Sequence, residues 1–193
     1  MHIYELDTPA LVIDLDVLER NIRQMADHCA ALGIPLRVHT KTHKIPEIAK
    51  MQLAAGSQGI VCQKLGEAEV MAAAGINDIL IPFNIVGKIK TRRLAALTRM
   101  AKMTVAVDSL VTAQGISEQA LEDGCTVNVL IELDTGGKRC GVQSPQAALE
   151  LAQAVDRLPG LALQGVMTYP SRPEAKPFLD ETVALFQRAG LPL

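Results

Sequence analysis

The 193-residue chain has no tryptophan, two tyrosines and three phenylalanines. So few aromatic rings argue against a base-stacking surface. A formal net charge of −2 gives nothing that would draw the chain to nucleic acid or to an anionic membrane. No run of about 18 apolar residues occurs, so no membrane span is expected. The opening residues, MHIYELDTPA, lack a basic stretch followed by an apolar core, so no secretion signal is expected. Cys29, Cys62, Cys125 and Cys140 have no CxxC spacing and lie in or beside apolar segments. Reduced, mostly buried thiols in a cytoplasmic protein are the expectation. A GxGxxG turn and a Walker A loop are also missing, which argues against a Rossmann or P-loop nucleotide site.

What is present is a rhythm. Short apolar runs at 10–15, 36–42, 59–63, 78–83, 103–108, 126–134 and 161–170 alternate with amphipathic stretches at 16–33, 46–56, 65–75, 88–101, 109–124, 144–160 and 174–190. Gly33, Gly56, Gly75, Gly124 and Gly190 stand where helix C-terminal caps belong. Asp16, Ser109 and Ser144 suit helix N-caps. Val/Ile/Leu-rich strands alternating with helices imply a parallel sheet covered by helices. The fold class is therefore α/β. Lys41, His43, Gln63, Asp108, Asp134 and Tyr169 all fall at the C-terminal ends of strands, the distribution of a (β/α)8 barrel. A complete barrel takes about 250 residues. Seven strand candidates at most, and a stop at GLPL, predict either an open sheet or an incomplete barrel.

The stretch RVHTKTHK (37–44) poses a problem. Read as a strand, Arg37, His39, Lys41 and His43 share one face. Four cations cannot all be buried and charged without partners. Either the histidines are neutral, or the lysine loses its charge, or an anion sits there. A lysine desolvated among cations has a lowered pKa, which suits Schiff-base chemistry. From chemistry alone the alternative, an edge strand or loop with solvated basic groups, stays open and is favoured.

The segments TPALVIDLDVLERNI and RVHTKTHKIPEIAKMQLAAGSQGIVCQKLGEAEVMAAAGINDILIPFNIVG resemble the N-terminal half of the D-threonine aldolase and D-serine dehydratase proteins. These belong to the alanine racemase-like, fold-type III pyridoxal-phosphate enzymes. The likeness runs over residues 8–190. HxKTHK, followed by a KLGEAEV helix start, is its specific part. The resemblance implies a TIM-type barrel of the alanine racemase N-terminal type, with about six of eight barrel strands present in a single domain over 1–193. It also implies that ALVIDL lies outside the barrel. Lys41 takes the place of the lysine that binds pyridoxal 5'-phosphate covalently.

The same resemblance suggests roles elsewhere. Arg139, in IELDTGGKRCGV (131–142), matches an arginine close to the cofactor's phenolic oxygen, where a cation stabilises the anionic form. Asp134 either orients Arg139 or caps the turn. Tyr169, in GVMTYPSRP (165–173), matches an aromatic on the substrate side of the cofactor and can stack, donate a hydrogen bond or assist proton transfer. Gln63 faces the same mouth, near the cofactor ring. His43, nearest the mouth, is expected to relay protons or hold the phosphate. His39 lies deeper, as a cofactor neighbour or a neutral core histidine. The two histidines are roughly 13 Å apart along a strand, too far to share a metal. Glu67 and Glu69 open a helix and meet its dipole.

The family's glycine-rich phosphate loop and its divalent-metal ligands lie in segments this sequence does not contain, so no metal site is assigned. The function implied is a pyridoxal-phosphate lyase cleaving D-3-hydroxy amino acids to glycine and an aldehyde. D-serine dehydratase-like or racemase chemistry is an alternative, and so is an inactive fragment of such an enzyme. A non-pyridoxal barrel enzyme acting on a phosphorylated substrate is a further alternative. A homodimer is expected for the full-length protein.

Overall fold

The computed structural model describes residues 2–193. Six strands form one sheet: β1 (Val38–His39), β2 (Ile60–Val61), β3 (Asp78–Ile81), β4 (Lys102–Val107), β5 (Val127–Leu133) and β6 (Leu161–Thr168). All neighbours are parallel, in the order β1-β2-β3-β4-β5-β6. Seven helices accompany them: α1 (Leu15–Ala31), α2 (Pro46–Ala54), α3 (Leu65–Ala73), α4 (Lys88–Leu97), α5 (Leu110–Glu122), α6 (Pro145–Asp156) and α7 (Lys176–Ala189). This is six strands' worth of a (β/α)8 barrel, left open as a sheet.

Sequence-level caps explain the helix ends. Ser109 and Ser144 accept from Thr112 N–H and Ala147 N–H. For α1 the cap is Asp14, not Asp16: its carboxylate accepts from Val17 N–H, which starts the helix one residue earlier than the pattern suggested. Gly33, Gly56, Gly75, Gly124 and Gly190 all take positive φ after their helices.

Two corrections concern strands. ALVIDL forms no strand; Leu11, Val12 and Ile13 are exposed, outside the sheet, where no neighbour supplies backbone partners. β1 covers two residues, not 36–42, because the chain turns after His39, with Lys44 N–H closing on Thr40 O.

The sheet has two unlike faces. Ile60, Cys62, Ile79, Ile81, Met103, Val105, Val107, Val127, Val129, Ile131 and Leu133 are all fully buried or nearly so, in one core with Ala68, Met71, Leu94, Ile116, Ala148, Val155 and Phe186 of the helices. The alternate positions, His39, Val61, Gln63, Leu80 and Glu132, point the other way, into a cavity. Phe186 is 0% exposed, the anchor of α7. Phe186→Ala should lower unfolding stability by about 3–5 kcal/mol, measured by urea denaturation.

Between β5 and β6 the register slips: Val129 faces Leu163 but Leu130 faces Gly165. The skipped residue, Gln164, is a bulge, and it inverts which residues of β6 face the core. Leu163 packs in the core, yet Met167 and Tyr169, an even number of residues on, face the cavity.

Candidate active site

The C-terminal ends of β1, β2, β3, β5 and β6 surround a cavity of about 410 Å³. From β1 come Arg37, His39 and Lys41; from β2, Val61 and Gln63; from β5 and its loop, Glu132, Arg139 and Cys140; from β6, Met167, Thr168 and Tyr169.

The lysine sits on a built turn. Thr40 is fully buried, and both its N–H and its hydroxyl donate to Val61 O, at 2.9 and 3.0 Å. Lys44 N–H donates to Thr40 O at 2.8 Å and closes the turn, with Lys44 itself at φ 54. Lys44 Nζ meets Glu67 Oε1 at 3.3 Å, and Glu67 Oε2 accepts from Gln63 N–H at 2.8 Å. Glu67 thus ties the lysine turn to the Gln63 loop, beyond the helix-dipole role read from sequence; Glu69 pairs with Arg93 at 2.7 Å.

The four-cation problem is resolved separately at each position. Arg37 pairs with Asp78 at 2.7 Å. His39 accepts from Lys41 N–H at 3.3 Å, and its pKa is lowered by burial and then by the Lys41 charge, against the opposing pull of Gln63. Lys41 is exposed and makes no ion pair among the described residues. The turn carries His43 off the expected face: its Nδ1 accepts from Ile45 N–H at 3.0 Å, its Nε2 is buried without a partner, and it does not line the cavity. Burial lowers its pKa, and the Ile45 N–H on Nδ1 holds the neutral ring. A proton relay or phosphate ligand at the mouth is therefore not where His43 stands; the strand ended before period-two alternation reached it.

On the opposite wall, Asp134 Oδ1 accepts from Gly136 N–H at 3.1 Å and Lys138 N–H at 2.9 Å. Of its two roles left open by sequence, capping the turn is the one formed. Gly141 N–H donates to Asp108 Oδ2 at 3.1 Å, and Val142 returns to pair beside β5. This loop presents Arg139. Its Cζ lies 5.1 Å from the Tyr169 ring centroid, while Lys41 Nζ lies 5.7 Å from it. Two cations near one ring, neither ion-paired among the described residues, make a positive site that favours an anion.

Sequence reasoning missed Glu132. It is 4% exposed, and Oε2 has no hydrogen-bond partner. Its carboxyl is pushed up to about 7, first by burial, then by the Asp108 charge, with Arg139 pulling down and Asp134 up. The folded chain holds that proton up to about 7, whereas an unfolded chain releases it at the ordinary carboxylate value. This group's contribution to stability is therefore full at acid pH and is lost as pH rises through about 7. Glu132→Gln should flatten that slope, read from urea midpoints between the ordinary carboxylate range and about pH 7. The available signal was the alternation along VNVLIEL, which puts Glu132 on the cavity face.

The four cysteines are free. Cys62, fully buried beside Thr40, is pushed up to about 11, chiefly by burial. Iodoacetamide at mildly alkaline pH should label Cys29, Cys125 and Cys140 well before Cys62, as read by peptide mass.

Residues 13–191 match the alanine racemase N-terminal domain family. The chain belongs to that family. Among curated relatives it is 43% identical over 164 residues to the D-threonine aldolase of an Arthrobacter species, covering 85% of this chain and 43% of that protein. It is 40% identical over 167 residues to the D-threo-3-hydroxyaspartate dehydratase of a Delftia strain, covering 85% of this chain and 43% of that protein. The crystal structure of a D-threonine aldolase from Filomicrobium marinum superposes with a TM-score of 0.95 at 37% identity, covering 98% of this chain and 55% of that one. The chain thus spans less than half the length of these two curated relatives.

Proposed function

We propose that this chain supplies the lysine side of a pyridoxal 5'-phosphate site in a lyase for D-3-hydroxy amino acids. The observation that carries it is the pair Lys41 and Arg139, both without ion-pair partners among the described residues, on Tyr169 at the cavity mouth. One amine, one guanidinium and one aromatic plane fit an anionic aromatic aldehyde. When bound, pyridoxal phosphate supplies the aldehyde that joins a lysine amine and a ring that takes up electrons from a bond broken at the substrate's α-carbon.

The chain's own residues divide the remaining work. Lys41 offers its amine from a turn anchored by Thr40 and Lys44. Arg139 would stabilise negative charge on the phenolic oxygen of the cofactor. Tyr169 packs against both cations and presents its hydroxyl for a proton at the substrate. Gln63 and His39 line the wall behind Lys41, and His39, with its pKa lowered, stands as a neutral acceptor. A homodimer and a cytoplasmic location belong to the same proposal.

The dehydratase relative favours a second reading, loss of the β-hydroxyl in place of carbon–carbon cleavage. Both predict a visible absorbance band when the chain is mixed with pyridoxal phosphate, lost on borohydride, with the label on Lys41. A folded chain giving no band and no label would sink both and leave a site for a phosphorylated substrate. Given a band, D-threonine yielding glycine and aldehyde marks the aldolase; an oxo acid with ammonia marks the dehydratase.

A further inference from the structure

Glu132 and Arg139 are complementary charges that lack partners within one cavity. Glu132 stands on the cavity face of β5, opposite Met167 of β6, with Oε2 buried and unpartnered. Arg139 sits on the loop leaving the same strand and makes no ion pair among the described residues. A leucine would fill an inward position of β5 without the desolvation a carboxyl suffers there.

We propose that Glu132 is the positioning residue for Arg139: when ionised, its free oxygen receives the guanidinium and fixes where that cation stands, and when protonated it releases it. Only the identity of the ligand that Arg139 would face rests on the pyridoxal phosphate reading above. The groups acting on Glu132 come from every neighbouring element. Asp108 at the end of β4 and Asp134 after β5 disfavour its charge, and Arg139 favours it. Cys140 is its neighbour in the loop, and the Cys140 thiol is itself raised, by burial and then by Glu132. Arg37, His39 and Lys41 from β1 and Tyr169 from β6 line the same cavity. Burial of the Glu132 carboxyl is the largest influence, with two carboxylates opposing one guanidinium after it, so the state of Arg139 follows the proton on Glu132.

The test uses the cofactor-free 193-residue chain, labelled with carbon-13 at glutamate carboxyls and titrated by NMR. One carboxyl is expected to titrate near 7 and to be missing in Glu132→Gln. Arg139→Met should move that midpoint upward, because the one favourable charge is gone. Should Glu132→Gln fail to fold, Asp108→Asn identifies the same signal by moving it downward. A midpoint unmoved by Arg139→Met overturns the proposal, since the guanidinium then does not face Glu132; so does the absence of any carboxyl titrating above the ordinary range. As a second readout, Glu132→Gln should bring the Cys140 alkylation profile to lower pH, and an unmoved profile overturns the placement of a charged Glu132 beside this loop. Failure of the cofactor assignment shows differently, as no label on Lys41 with these titrations unchanged.

Discussion

Lys41→Ala should abolish the borohydride-fixed label from pyridoxal phosphate and leave the fold intact. Loss should be complete because no other lysine stands in for it. Lys44, the nearest in sequence, points away and is engaged with Glu67 at 3.3 Å. Lys64 and Lys138 lie outside the cavity lining. The substitution falls on an exposed turn whose hydrogen bonds are made by backbone and by Thr40, so the unfolding midpoint should move by no more than about 0.5 kcal/mol. Lys41→Arg separates charge from chemistry. It keeps a cation near Tyr169, so weak, non-covalent cofactor binding should persist, but a guanidinium does not form the covalent link. Residual label on another lysine in Lys41→Ala, equal in yield to that of the parent chain, would mean that the cavity mouth does not select Lys41.

The parts of the fold that follow local rules were legible in the sequence. Helix ends at Ser109, Ser144 and Gly190 follow from capping chemistry, and the parallel sheet follows from Val/Ile-rich runs between helices. The misreadings come from context beyond a strand's own residues. RVHTKTHK has a clean period of two, but after His39 the chain turns, with Lys44 N–H closing on Thr40 O, and the turn directs His43 toward Ile45. Period two on β6 would also fail: counted from buried Leu163 it puts Tyr169 in the core, and only the bulge at Gln164 turns it to the cavity. The family resemblance named Tyr169 without that geometry. Glu132 went unnoticed for the opposite reason. Its alternation was readable, but a single carboxyl in an apolar strand becomes notable only when Asp108, Asp134 and Arg139 are seen around it.

Gly141→Ala should be the most disruptive small change near the site, although it adds one methyl group. Gly141 has φ +115, where a side chain is strained by about 1–3 kcal/mol. Space is the larger obstacle. A Cβ there would lie 2.5 Å from Leu133 C and 2.9 Å from Glu132 O, and would overlap Asp134 N. These are backbone atoms at the end of a central strand, so no rotamer change relieves the contact. The loop must lift. Lifting it breaks Val142 N–H to Glu132 O and Asp134 N–H to Val142 O, both 2.9 Å, at about 1 kcal/mol each. A total loss of about 3 kcal/mol or more is expected in urea denaturation. Gly136→Ala is the control: φ is +104, but a Cβ there meets nothing within 4 Å, so only the backbone strain is incurred. If the two variants unfold alike, the loop is not packed on β5 as described. If Gly141→Ala is the weaker, its folded fraction should also capture pyridoxal phosphate poorly, because the displaced loop is the one that brings Arg139 to Tyr169.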